Sequence, residues 1–254
     1  MHKALLAVSI AASFMATGCS IANDTSATQT TVAQNVQMLN PLLTPSTLQY
    51  QAPDFSIIKD AHFQPALEQG IKEHYQQILN IANNSEAPTF SNTIVAMETS
   101  GELLNRTSQV FYNLTGSNSN PTLLKIQGEM APVMAAHSDN IHLNSALFSR
   151  VDSLYQQRDL LNLTAEEVRL IEVYHQRFVL AGAKLTDQQK AQIRLLNEEQ
   201  STLTNEFSQR LLALTKQNAV VVDSADELAG LSDSEIRAAK MDAEVQGHAG
   251  KYVI

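Results

Sequence analysis

The chain has 254 residues, 44% of them hydrophobic, enough for a sizeable core and for one or two domains. Acidic residues outnumber basic ones 26 to 17, giving a formal net charge of -9, and no Lys/Arg block of the kind that tracks a phosphate backbone is present. This argues against nucleic acid as a partner and reads the acidic surface as a solubility device.

At the N-terminus, His2 and Lys3 precede an uncharged stretch from Ala4 to Ala16, followed by Thr17, Gly18 and Cys19. An apolar run this short does not span a bilayer as a stable helix, but it suits the h-region of a cleaved signal. The small residues before Cys19 resemble a bacterial lipobox, with Ala16 standing where Leu is commoner. That resemblance makes 1–18 a lipoprotein-type signal peptide and Cys19 the lipid attachment site. Cys19 is the one cysteine of the chain, so no internal disulfide is open to it. An ordinary secretory signal that happens to include a cysteine is the plainer alternative. Ser20 after the cysteine resembles sorting to an outer membrane. The expected location is the bacterial cell envelope, lipid-anchored and facing the periplasm, with the membrane as a partner through the lipid. Residues 19–39, rich in Thr, Ala, Asn, Ser and Gln, hold few large apolar side chains and read as a flexible tether.

The folded body is expected from residue 40. Asn40-Pro41-Leu42-Leu43 and Ala52-Pro53-Asp54-Phe55 read as an extended lead-in, because proline disfavours helix for the residue before it. Phe63, Ala66, Leu67, Ile71, Tyr75, Ile78, Leu79 and Ala82 recur at helical steps and predict a first amphipathic helix. A second is predicted after Pro88 and Phe90, running through Ile94, Met97, Leu103, Leu104, Val110, Phe111 and Leu114 to a break at Gly116 to Asn120. Asn120-Pro121 supplies an N-cap with proline at the first helical position and opens a third helix, to about His142. Asn144 starts a shorter helix through Phe148, Val151, Leu154 and Tyr155, ending near Leu161. Thr164 with Glu167 forms a capping box for a fifth, to about Ala183, and Thr186 with Gln189 repeats the device. Ile193, Leu196, Leu203, Phe207, Leu211 and Leu214 then give a stripe along one long helix.

After Gln217 the character changes. Ala219 to Val222 reads as a strand, Ser232 with Glu235 caps another helix that fades before Gly247, and Lys251-Tyr252-Val253-Ile254 reads as a strand just beginning. A chain end on an apolar strand leaves a sticky edge, so residues 218–254 are expected to be the start of a next α/β segment, cut short.

A helical metallopeptidase site needs His-Glu-x-x-His, since an i,i+4 spacing puts both imidazoles on one face toward one zinc. The seven histidines are His2, His62, His74, His137, His142, His175 and His248, and none is followed by Glu. His137 and His142 are five apart and point to different faces. His74, beside Glu73 and Tyr75, reads as a helix-surface residue. His175, near Glu172 and Arg177 in a dense apolar helix, reads as a structural hydrogen-bonding residue. No Gly-x-Ser-x-Gly elbow or phosphate loop occurs. The closest acidic groupings are Glu166/Glu167, Glu198/Glu199 and Asp223/Asp226; adjacent acids on a helix point in different directions, so the first two read as solvated faces and helix-dipole partners, and paired-carboxylate catalysis has no support. No catalytic or metal residue is expected in this chain.

Several strings coincide with a known family: Asn40-Pro41-Leu42-Leu43, His62-Phe63-x-Pro65-Ala66, Phe90-x-Asn92-Thr93-Ile94, Ser100-Gly101-Glu102-Leu103-Leu104, His175-Gln176-Arg177-Phe178-Val179-Leu180-Ala181-Gly182-Ala183-Lys184-Leu185, Phe207-x-Gln209-Arg210-Leu211-Leu212 and Leu228-Ala229-Gly230-Leu231-Ser232. Together they resemble the N-terminal part of bacterial peptidyl-dipeptidases of the thimet oligopeptidase family of zinc metallopeptidases. The resemblance implies a mainly α fold, with 40–217 a multi-helix N-terminal lobe of a two-lobed helical metallopeptidase and a short β element near the C-terminus. It implies release of C-terminal dipeptides from oligopeptide substrates by a zinc site in the full-length family, held by residues that match no position here. The chain is therefore expected to bind no cofactor and to be inactive alone. The competing reading is a stand-alone envelope lipoprotein that binds peptides or a protein partner. Ala181, Gly182 and Ala183, in the most family-like segment, read as residues that allow close helix contact.

Overall fold

A computed structural model describes residues 40–254; the signal peptide expected over 1–18, Cys19 and the tether expected over 19–39 lie outside them. The mainly helical fold with a short β element near its C-terminus is the one observed. The long elements are α1 (Phe63–Ala82), α2 (Glu102–Ser117), α3 (Pro121–His142), α4 (Ser145–Gln157), α5 (Ala165–Ala181) and α6 (Asp187–Gln217). After them come β1 (Val221–Val222), α7 (Asp233–Val245) and β2 (Tyr252–Val253). No helix among the described residues is long and apolar enough to cross a membrane.

The caps act as their residue types require. Asn120 and Asn144 accept the backbone N–H groups of Leu123 and Leu147, and Thr164, Thr186 and Ser232 form reciprocal boxes with Glu167, Gln189 and Glu235. The lead-in is less extended than predicted. Pro41–Leu43 is a 3-10 turn capped by Asn40, whose side-chain amide donates to the His62 carbonyl at 2.8 Å. Leu42 is thereby set into the core.

Two apolar clusters organise the body. One gathers Leu42, Phe63, Leu67, Phe111, Leu123 and Met130 from the start of α1, α2 and α3. The other gathers Ile78, Ile94, Leu147, Val151, Ile171 and Phe178 from the end of α1, α4 and α5. Helix α1 serves both, one with each end, because its apolar positions recur over its full length.

The predicted second helix is interrupted. A π turn at Phe90–Val95 leads into a single α turn at Ala96–Glu98, and the chain breaks before α2 at Gly101, whose φ is +71°. A Cβ there would lie 2.7 Å from the His74 ring, so a side chain is excluded by space as well as by backbone. The freed backbone groups find side-chain partners: Ser100 Oγ donates to the Met97 carbonyl at 2.7 Å and Gln77 Oε1 accepts from the Gly101 N–H at 2.7 Å.

Gly182 ends α5 as a left-handed cap with φ +105°, where a Cβ would meet Leu185 at 2.7 Å. Its role is chain reversal into α6, in addition to the close packing read from the sequence. At the C-terminus β1 and β2 pair antiparallel, Val221 opposite Val253, and buried Ala239, Ala243 and Val253 hold α7 and the strands together.

Candidate functional site

The chemistry-bearing side chains gather at three places. The first lies where α1 passes between the two clusters. His137 Nε2 is 3.0 Å from His74 Nδ1, and His74 Nε2 is 3.1 Å from Ser100 Oγ. Because the Ser100 hydroxyl donates to the Met97 carbonyl, it accepts from His74 Nε2–H. His74 Nδ1 is then an acceptor, and His137 must donate its Nε2–H. His137 Nδ1 is left as a bare lone pair, buried and without a partner.

His74 is thus half-buried in a relay that ties α1, the Gly101 break and α3 together, not the helix-surface residue read from the sequence. His137 faces inward because it continues the Leu123, Ile126, Met130 series of α3. Burial lowers the pKa of both imidazoles, and for His137, with His74 and His142 adding like charge, it falls to about 4. A proton on either ring would place an N–H against another N–H or leave it buried without an acceptor. Since the unfolded imidazole titrates near 6.5, the unfolded state binds more protons between about pH 6.5 and 4. Stability present above pH 6.5 is therefore lost as the pH falls through that window, by on the order of 2 kcal/mol. Urea midpoints between pH 7 and 4 check this. His137→Gln, which titrates no proton, is expected to flatten that part of the profile.

The second place is on α4 and α5. His175 Nε2 pairs with Asp152 Oδ1 at 2.9 Å, and its ring stacks on Tyr155 at 3.8 Å with the planes 5° apart. Arg158 lies over the other partner of that stack, 4.3 Å from the Tyr155 centroid, and is held by Glu172. An Asp-His pair can orient a base, but no Ser, Thr or Cys side chain of the described residues bonds its other nitrogen. The structural hydrogen bond expected for His175 is present; sequence gave no sign that Asp152 would supply it.

The third is the seam between α3 and α6, which is polar. Lys190 donates to Ser145 at the start of α4, Arg194 to Asn140, Asn197 to Asp139 at 2.7 Å, and Gln209 to the Leu124 carbonyl at 3.0 Å. Asp139, Tyr112, Gln127, Asn197, Gln200 and Asn205 line an open cleft of about 460 Å³ along the seam. The stripe predicted on this helix lies elsewhere: Leu196, Leu203, Phe207, Leu211 and Leu214 are exposed.

Two further histidines are occupied locally. His62 Nδ1 accepts the Lys59 N–H, and His142 Nδ1 donates to the Ser138 carbonyl. Glu167 serves in its capping box, while Asp223 pairs with Lys251. Among the described residues no three His, Cys, Asp or Glu side chains converge as metal ligands, so the zinc implied by the resemblance has no fitting donor set in residues 40–254.

The class this defines is a helical lobe with structural histidine pairs and a polar cleft. No protein-family model matches the chain. Among curated proteins it is 45% identical over 215 residues to the dipeptidyl carboxypeptidase of Salmonella typhimurium and 44% identical over 216 residues to that of Escherichia coli, covering 85% of this chain in each case. Oligopeptidase A of Haemophilus influenzae is 25% identical over 215 residues. The chain spans about a third of the length of these relatives, 32% for the first two. The resemblance to peptidyl-dipeptidases read from short strings extends over 85% of the chain.

Proposed function

We propose that residues 40–254 form a helical lobe of an exported zinc peptidyl-dipeptidase that releases C-terminal dipeptides from oligopeptides. The metal and the chemistry are supplied by polypeptide outside this chain. The lobe contributes wall and access to the substrate channel, and Cys19 carries the lipid that holds the protein to the cell envelope, facing the periplasm. The observation that carries this reading is the 45% identity over 215 residues, 85% of this chain.

A graft tests it. With residues 40–254 replacing the matched segment of the Escherichia coli dipeptidyl carboxypeptidase, zinc-dependent release of C-terminal dipeptides is expected to persist within about tenfold, while this chain alone with zinc releases none. A folded but inactive graft, or dipeptide release by the chain alone, refutes the assignment. In the bacterial host, Cys19→Ser is expected to abolish incorporation of labelled palmitate, and unchanged incorporation removes the anchor from the proposal.

The α3–α6 cleft favours a second reading, a stand-alone lipoprotein binding peptides. Its amide and hydroxyl lining matches peptide backbone groups. Micromolar binding of short peptides by this chain, beside an inactive graft, selects that reading.

A further inference from the structure

Helix α6 is docked by its polar side. Lys190, Arg194, Asn197 and Gln209 bond toward α3 and α4. Across the helix axis Leu196, Leu203, Phe207, Leu211 and Leu214 recur at steps of three, four and seven, each more than half exposed, from 52% at Leu214 to 67% at Phe207. Bare apolar surface is concentrated in this part of the molecule. Of the twenty-two exposed large apolar side chains among the described residues, thirteen fall between Leu195 and Ile254. Isolated apolar residues on a surface need no explanation, but a stripe about five turns long marks an interaction site.

The relatives indicate what covers it. The matched 215 residues are 32% of the Salmonella typhimurium enzyme, so about two thirds of that polypeptide lies outside the match. We infer that the exposed apolar face of α6 is the surface on which the polypeptide corresponding to that remainder packs, joined to this chain or supplied separately. The inference rests on the peptidase-lobe reading above. Glu199 and Glu206, seven residues apart, border the stripe along one edge, so the matching surface is apolar at its centre with basic or hydrogen-bond-donating groups facing that edge.

Cysteine labelling tests it. In a Cys19→Ser background of the full chain, Leu203→Cys, Phe207→Cys and the reference Glu68→Cys, exposed on α1, are expected to react with a maleimide at similar rates. In the graft described above, labelling at 203 and 207 slows at least tenfold relative to 68, read by mass spectrometry of the labelled peptides. Equal relative rates in the two settings overturn the inference, even where the graft releases dipeptides and the functional reading stands. Concentration-dependent protection in the chain alone also overturns it, because a second copy is then the occupant. Should the graft not fold, the full chain is co-expressed with the rest of the Escherichia coli enzyme as a separate polypeptide. A co-purifying pair that is lost on Leu203→Glu/Phe207→Glu supports the inference. A pair that survives those charges, or no pair, overturns it.

Discussion

Arg150→Met is expected to lower the unfolding free energy by about 3 kcal/mol, with the loss visible as a drop in urea midpoint at unchanged slope. Arg150 is 6% exposed on α4, at an inward step of the Leu147, Val151, Leu154 series. Its Nη1 donates to the carbonyls of Asn84 and Glu86, at 2.9 and 3.0 Å, and its Nη2 to Asn92 Oδ1 at 2.8 Å. Asn92 in turn accepts the Thr89 N–H and donates to the Ala87 carbonyl, so one guanidinium organises the whole approach to the π turn. Methionine keeps the stem packing and removes the donors. The acceptors then lie against an apolar group, and a charged hydrogen-bonding partner is worth about 1.5–3 kcal/mol. Lysine is expected to recover only part of the loss, since a single ammonium cannot reproduce the fork. An Arg150→Met variant as stable as the parent would mean that water replaces the guanidinium.

The second large effect is expected from Gly70→Ala, a loss of about 2–3 kcal/mol by overpacking. Gly70 sits in the middle of α1 where α2 crosses it, and a Cβ there would lie 2.8 Å from Leu104 Cα and 2.9 Å from Leu104 N. Those are backbone atoms and cannot rotate away. Alanine normally stabilises a helix interior by about 1 kcal/mol over glycine, so a net loss at this site measures the crossing and not the propensity. A thermal melt of Gly70→Ala above that of the parent would show that the two helices can separate at little cost.

Much of the fold was legible because it is written locally. Asn120, Asn144, Thr164, Thr186 and Ser232 each mark a helix start through a hydrogen bond that spans three residues, and the starts fall where those side chains stand. The break at Gly101 was missed because the apolar spacing runs through it from Ile94 to Leu104. The signal for it, glycine after Ser100, depends on His74 arriving from α1. The histidine relay joins positions 63 residues apart and the Asp152–His175 pair positions 23 apart. Nothing in either neighbourhood announces the partner, although the inward step of His137 on α3 was there to be read. The stripe of α6 shows the reverse limit. Periodicity identified an apolar face correctly, but which side of a helix meets its neighbour is decided by what the neighbour offers. Helix α3 offers Asp139, Asn140 and the Leu124 carbonyl, so the polar side faces it.

The polar seam between α3 and α6 also sets how the molecule can open. Peeling α6 away trades hydrogen bonds for bonds to water and uncovers little apolar surface. By contrast, moving α1 or α4 would expose Phe63, Ile78 or Leu147. Local opening energy follows the apolar area released, so α6 is the helix whose amides exchange through a partial detachment well before global unfolding. A body clamped onto its outer stripe would abolish that detachment, and the rigidity of the lobe would then depend on what is bound to it.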